Sequence, residues 1–460
     1  MPITYNAGQT RIELNKEVGK GENWTNAYTI EDILTANVTE KFFFANDIYV
    51  ADGVSILVNT ATFLKIKSCT LSFINSSVNA NLLQLAGGGQ IQLGENVDGK
   101  LSEGVVINCR GLTTPVKRLY VSYAYDSMIV SKPTTTGFLG GVYLYNADGC
   151  KISGGGTENL YNGLYNIKNS QVINAYYGTR SPSSGSVFQN VMFNNCHIGV
   201  WLYIATNITL RSVTALNSIS VDIQNRGYGN NNQENTLVDC VYGTYQNTFA
   251  THASTTQETY CILNIDEYFD LVLNDQNGNK LEGASVKLYN KNDELVFDLT
   301  TDASGKIERQ EVRRIRDEIW KRLPDLISVR TINTYSPFTL VIEKTGYVIY
   351  TDIFDISGKV DLKISLKLLP LQISAVEITD TSVIGASDGA LTITAEGGDG
   401  TYQYSINGTD YQVSNGFTGL AKGDYTVYVK DGQDVVASFG VEISEPSGGS
   451  GYSRARIVNI

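Results

Sequence analysis

The chain of 460 residues carries 47 acidic and 35 basic side chains, a formal net charge of −12 that disfavours nonspecific binding to nucleic acid. Apolar residues make up 42%, and 44 Gly and 28 Tyr stand against 8 Pro, 3 Met and 2 His, a balance that favours strands and turns over helical bundles. No run of about 18 apolar residues occurs, which excludes a hydrophobic spanning helix.

Residues 1–45 read as a lead-in and cap. The N-terminus MPITYNAGQTRIELNKE has no apolar h-region and is not a secretory signal. The expectation is release by assembly into a particle or by lysis, unless a signal has been removed. Thr29 with Asp32 three residues on makes an N-cap for a short helix from Ile30 to about Ala36. Such a helix suits the open end of a strand stack, which exposes apolar and unpaired backbone groups.

Residues 46–264 repeat a strand-turn rhythm, clearest in SVFQNVMFNNCHIGVWLYIATNITLRSVTALNSISVDIQN (186–225). Apolar runs alternate with small polar residues and no helical period appears, as in a coil of short parallel strands. Rungs of roughly 20 to 25 residues predict about nine to eleven coils. Asn at 162, 166, 169, 174, 190, 194, 195, 207, 217 and 225 fits turns that accept left-handed backbone and stack into amide ladders. Cys69, Cys109, Cys150, Cys196 and Cys240 recur at intervals of 40, 41, 46 and 44 residues. They read as free thiols facing inward near one corner of every second coil, small buried hydrophobes in effect. No CxxC occurs, so no zinc site is expected. The rhythm resembles the right-handed parallel β-helix family of pectate lyases and phage tailspikes, over about half the chain.

That family includes polysaccharide-cleaving enzymes, which need clustered acids or paired carboxylates. Here Asp126, Asp148, Asp222 and Asp239 are isolated. Asp222 with Arg226 is the weak catalytic candidate, beside a plain turn pair. His197 follows Cys196, and on a strand the two point to opposite faces. Tyrosines are dense along the coil. Tyr120, Tyr123, Tyr125, Tyr176 and Tyr177 are the candidate glycan contacts, beside the plainer reading of core filling.

Residues 265–370 change texture. Strand, turn and strand over Asp270–Tyr289 lead into LVFDLTTDASGKI (295–307). Gly278, Leu281, Gly283, Ala284, Val286, Thr301, Asp302, Gly305 and Gly346-Tyr347 make this segment resemble the carboxypeptidase regulatory-like sandwich family, which implies an Ig-like spacer without catalysis. The loop Asn274–Asn279 reads as a hairpin turn, since it lacks the Glu that a calcium loop places downstream. An insertion, ERQEVRRIRDEIWKRL (308–323), predicts an amphipathic helix ended by Pro324, with Val312, Ile315, Ile319 and Leu323 on one face. Its Arg313, Arg314, Arg316 and Trp320 are candidate partner-docking residues.

In residues 371–446, Asp388-Gly389, Gly397-Gly398, Tyr402, Tyr404-Ser405, Phe417, Leu420, Gly423, Tyr425, Val427, Val429 and Asp431 make the segment resemble the SprB-type repeat of gliding-bacteria surface adhesins. Two cysteines and a proline usual in that repeat are missing. The resemblance points to Bacteroidetes or their phages. Residues 447–460 are a Gly/Ser linker and a tail, with Arg454, Arg456, Ile457 and Val458 as candidates for docking by strand addition.

The expected fold class is all-β: a parallel β-helix, then two small Ig-like β-sandwiches, with one inserted amphipathic helix. The expected function is a non-enzymatic component of a phage virion, such as a head fibre, decoration protein or tail fibre. The alternatives are a secreted adhesin and a polysaccharide-degrading tailspike. No cofactor or metal is expected. Expected partners are other virion proteins, sister subunits in a homo-oligomer such as a trimer, and a host surface glycan. Neither nucleic acid nor a membrane span is expected.

Overall fold

The computed structural model describes residues 2–75, 81–110, 112, 118–131, 141–154, 162–180, 182, 184–227, 232–249, 259–322, 327–447 and 455–460. Two compact units are present. One comprises Met1–Tyr268, Glu311–Thr334 and Ser357–Lys359. The other comprises Phe269–Gln310, Tyr335–Ile356 and Val360–Ile460. The chain is nearly all β.

The first unit is a β-solenoid of about seven turns. On one face Leu71, Ile107, Ile129, Ile152, Val172, Phe193, Ala215 and Tyr242 stand directly over one another in parallel register. A second column runs Ile66, Leu93, Ala124, Ala147, Ile167, Phe188, Leu210, Leu237 and Ile265. Period-2 alternation sends these side chains inward on every rung, where all but Tyr242 are buried. Turns are fewer than the expected nine to eleven. Between Leu71 and Ile107 the chain spends residues on an excursion that includes the hairpin Glu95–Val97 with Lys100–Ser102.

The corners explain the asparagines. Asp126, Gly149, Asn169, Asn190, Ser212 and Asp239 all have positive φ, between 44° and 67°. Each donates its N–H to the next rung. Asn190 Nδ2 donates to Asn169 Oδ1, and Asn169 Nδ2 to Asp148 Oδ1, each at 2.8 Å. A second corner stacks Asn174, Asn195 and Asn217, with Asn195 Nδ2 donating to Asn174 Oδ1 at 2.8 Å. A β-branched residue would pay about 1–2 kcal/mol for this backbone. Asn162 and Asn225 are buried inside instead. The cysteines occupy two corners rather than one. Cys69, Cys150 and Cys240 precede strands of the column that starts at Leu71, whereas Cys109 and Cys196 follow them. All six are free thiols.

Both ends of the stack are closed. At the start, helix Ile30–Thr35 has the expected capping box on Thr29 and Asp32 and buries Ile30 and Ile33 in the solenoid core. At the far end, the inserted amphipathic helix expected over 308–323 is absent. Gln310–Arg322 is a strand, antiparallel to Ile327–Thr334, and it continues the sheet beside Thr259–Asp275. Leu323 and Pro324 lie outside the described residues. The physical reason is tertiary. The last rung presents a row of unpaired N–H and C=O groups that a strand satisfies and a helix cannot. Ile315 and Ile319 fit a strand face as well as a helix face, and Ile315 packs on the solenoid core.

Beneath this hairpin the interior turns polar. Asn225, Gln233, Asn235 and Asn247 are buried and share hydrogen bonds, among them Asn235 Nδ2 to Asn225 Oδ1 at 2.9 Å and Asn225 Nδ2 to Asn247 Oδ1 at 3.0 Å. Asn247 Nδ2 reaches the Asp317 carbonyl at 2.7 Å.

In the second unit, Ser285–Tyr289, Leu295–Thr300, Phe338–Glu343 and Tyr350–Phe354 form one antiparallel sheet. Phe269–Asp275 pairs in parallel with Val360–Leu366. The residues behind the first sandwich resemblance sit at its turns. Gly278, Gly283, Gly305 and Gly346 have positive φ, and a Cβ on Gly305 would lie 2.3 Å from the Leu273 carbonyl oxygen. The Thr301 hydroxyl donates to Leu281 O at 2.6 Å and accepts from Ala284 N at 3.0 Å. A second pair of sheets comprises Gln372–Thr379, Gly389–Glu396, Gly416–Leu420 and Ala455–Asn459 against Tyr402–Ser405, Gly423–Asp431 and Val436–Ile443. They enclose Val376, Ile378, Leu391, Ile393, Val427, Val429 and Ile443.

Candidate functional site

Among the described residues a third face of the solenoid runs from Tyr177–Arg180 through Ile198–Tyr203, Val221–Gly227 and Tyr245–Phe249, all parallel. Val200, Leu202 and Ile223 point into the core. The opposite side carries a row of Arg180, Trp201, Gln224 and Gln246, and beside it Tyr203, Arg226 and Thr248. Gly178 and Gly199 let the rungs close. A Cβ on Gly178 would sit 2.2 Å from the Gly199 carbonyl oxygen.

Aromatic rings gather here. His197 stacks on Tyr176 at 4.4 Å, Tyr176 meets Tyr177 edge-on at 4.7 Å, and Tyr177 and Tyr203 flank Trp201 at 5.1 and 5.5 Å. The Arg180 guanidinium lies 4.3 Å from the Trp201 ring centroid and 5.3 Å from that of Tyr203, within cation–π range. Gln224 Nε2 donates to Gln246 Oε1 at 3.1 Å. Trp201 is 8% exposed, and among the described residues its indole Nε1 has no hydrogen-bond partner. That nitrogen is itself shut off from solvent, so what the face offers outward is the rings and amides around it. Tyr176, His197, Tyr203 and Arg226 form a half-buried rim. Sequence reasoning has Tyr176 and Tyr177 as glycan candidates and counts Tyr203 among the dense tyrosines of the coil, but misses Trp201. The period-2 spacing of Trp201 and Tyr203 in IGVWLY was the available signal.

The other candidate tyrosines lie on a different strand, Arg118–Tyr125. Tyr120 stacks on Tyr143 at 4.7 Å, and Gly163 makes room, since a Cβ there would be 2.5 Å from the Tyr143 ring. Tyr123 lies between Trp24 at 5.7 Å and Tyr125 at 6.4 Å.

Asp222 is 4% exposed and holds a turn. Oδ1 accepts from Ser218 N at 3.0 Å, and Oδ2 from Gly243 N at 3.0 Å, Thr244 N at 2.9 Å and Thr244 Oγ1 at 3.3 Å. Burial works to raise its pKa, but the hydrogen bonds from Thr244, Ser218 and Gly243 outweigh it and hold the carboxyl below the usual range. Arg226 is not among its partners.

The candidate docking arginines of 308–323 are engaged within the first unit. Arg313 pairs with Asp266, with Nη2 3.2 Å from Oδ2. Arg314 Nε donates to Glu267 at 3.0 Å, and Arg316 Nη1 to Glu234 at 2.9 Å. Arg211 pairs with Glu311. Trp320 lies against Tyr260 at 5.0 Å. In the tail, Ala455–Asn459 pairs antiparallel with Gln372–Thr379, placing Val458 opposite Val376 and Ile457 opposite Glu377. Arg456 bonds the Glu442 carbonyl and lies 3.6 Å from Asp380. Arg454 lies outside the described residues. Asp275 is a turn-former too, its Oδ1 accepting from Asn277 N and Asn279 N at 2.8 Å. Among the described residues no helix is long and apolar enough to cross a membrane.

No family model matches the chain, and no curated protein matches it. Among solved structures it is similar to the TIE protein of Bacillus anthracis, at 18% identity and a TM-score of 0.18, over 45% of this chain and 35% of that one. It is similar to a streptococcal ancillary pilin, at 12% identity and a TM-score of 0.17, over 46% and 70%. BcpA, the major pilin subunit of Bacillus cereus, gives 11% identity and a TM-score of 0.17, over 40% and 70%. The chain thus spans about a third of the first of these proteins.

Proposed function

We propose that this chain is a non-enzymatic structural and adhesive component of a phage virion, a head fibre, decoration protein or tail fibre, whose solenoid presents the Trp201 face to a host surface glycan. The observation that carries the reading is the half-buried rings of Tyr176, His197 and Tyr203 gathered around Trp201 beside an amide ladder. A pyranose offers an apolar face to aromatic rings and hydroxyls to amide and guanidinium groups such as those of Gln224, Gln246 and Arg226. The asparagine-laddered stack is a rigid scaffold on which such a surface keeps its spacing. Asp222 supports a reading without catalysis, because its acceptor sites are taken up by turn donors. The virion assignment and the sandwich resemblances rest on the sequence.

Two measurements test this. Mass spectrometry of purified particles from a Bacteroidetes host should find peptides of this chain in fixed copy number. Recovery only from cell envelopes or culture fluid would move the assignment to a secreted adhesin. Tyr203→Ala should weaken retention on host polysaccharide by about two- to tenfold, in line with roughly 0.5–1.5 kcal/mol for one stacking ring. Unchanged retention would refute the glycan face, and oligosaccharide release that Asp222→Ala abolishes would favour the tailspike.

A further inference from the structure

The tail strand Ala455–Asn459 is attached to its sheet in a way that any copy of the chain can supply. It adds to the edge of Gln372–Thr379, outside the order Gly416–Leu420, Gly389–Glu396, Gln372–Thr379. The core of that sandwich is built by the other strands. Of the tail only Val458 packs against it, and Val458 is half-buried. Ile457 is 62% exposed and Ile460 54%. What holds the tail is main-chain pairing from Ala375–Asn459 to Thr379–Ala455, the Ile460 N–H on Ser374 O at 3.1 Å, and Arg456 on Glu442 O and Asp380. Main-chain ladders recognise a strand by its backbone and not by the molecule it belongs to. The preceding sequence, SGGSG at 447–451, is of linker composition.

We propose that Gln372–Thr379 is an exchange site for a second copy of this chain: the slot is filled by the chain's own tail when copies are dilute and by a neighbour's tail when they are crowded. The two states have the same hydrogen bonds, so the balance is one of concentration. A short linker of Gly/Ser composition gives an effective concentration on the order of 1 mM. Below that the closed monomer dominates. Above it, as in an array of copies on a shared surface, tails pass between neighbours and link them. The inference is independent of the glycan reading, since the sandwich edge and the Trp201 face are on different units.

The test uses Glu377 and Ile457, which stand opposite each other in register with Ile457 well exposed. Full-length E377C and I457C chains are mixed under mild oxidation over a concentration series, with unsubstituted chain as control for native thiols. Neither single variant can close this bond within itself. The expected result is a disulfide-linked heterodimer, joined through positions 377 and 457 by peptide mapping, that rises from trace to a major species as total protein approaches about 1 mM. The double variant E377C/I457C should close within one chain when dilute, which shows that the slot is formed as described. Intrachain closure in the double variant with no heterodimer from the singles at any concentration would overturn exchange. Failure of the double variant to close would overturn the pairing on which it rests.

Discussion

Removing Arg330 should damage the closing hairpin more than neutralising its partner Asp317 does. Asp317 has no exposed side-chain surface, while Arg330 keeps 47% of its own. Arg330 Nε and Nη2 donate to the two carboxylate oxygens at 2.9 and 2.6 Å. Arg330→Ala leaves a buried carboxylate without its counter-charge, with the Tyr245 hydroxyl still beside it, at a cost of about 3 kcal/mol, the lower end for such sites because the arginine is partly screened by water. Asp317→Asn keeps the volume and frees Arg330 to hydrate, at about 1 kcal/mol. The double variant should therefore be less destabilised than Arg330→Ala alone. A chain of several units does not unfold in one step, so hydrogen exchange followed by mass spectrometry is the assay. Peptides from 311–334 should exchange about 100-fold faster in Arg330→Ala, about fivefold faster in Asp317→Asn, and near the Asp317→Asn rate in the double variant. Equal or larger acceleration in Asp317→Asn, or no rescue in the double variant, would refute the argument.

Three further outcomes are expected. Asn190→Val should lower the solenoid's melting temperature through loss of about 2–3 kcal/mol, from left-handed strain and the lost ladder bond, while Asn190→Gly should lose only about 1 kcal/mol; equal effects would contradict the corner account. Burial pushes the Cys109 and Cys261 thiols up to about 12 from 9.0. The folded chain then holds protons that the unfolded chain releases, so stability is intact below pH about 9 and falls towards pH about 12, by up to about 1.4 kcal/mol per thiol per unit; denaturant midpoints across that window should fall less steeply in Cys109→Ala with Cys261→Ala, Cys240 and the other raised thiols keeping the rest of the slope, and an unchanged slope would refute the thiols' part. Asp222→Ala should cost about 2–3 kcal/mol by orphaning the donors of Ser218, Gly243 and Thr244, read as faster exchange at 218–222 and 243–244, and unchanged exchange there would remove its structural role.

The solenoid was readable because its signals are local and repeated. Apolar alternation, Asn at bends such as Asn169, Asn174 and Asn190, and the capping box at Thr29 each report a backbone state within a few residues. The glycines of the first sandwich were readable for the same reason, since positive φ at Gly278, Gly283 and Gly305 is a local demand. The Trp201 face was only half readable. Which aromatic residues meet depends on rung register, and register is set across 20-odd residues by which columns stack. Tyr177 reaches Trp201 because Arg180 pairs with Trp201 and Tyr177 with Ile198. Tyr120 and Tyr123 lie on Arg118–Tyr125, a strand of another sheet, so they belong to a different surface.

The misread insertion shows why termini of repeats resist local reading. Val312, Ile315 and Ile319 fall at helical intervals, and Arg and Glu are good helix formers. Propensity differences of this kind sum to about 1–3 kcal/mol over a dozen residues. Against them stand the pairing of the solenoid's open edge, where each orphaned backbone group costs about 1–3 kcal/mol, and ion pairs to Asp266, Glu267 and Glu234 on Gln233–Val238 and Thr259–Asp275. Several such groups outweigh the helical preference. The acids lie 47 to 82 residues upstream of their arginines, so nothing within a helical window reports them. The positive charge that made 308–323 look like a free docking helix is the charge that fastens it as the last rung.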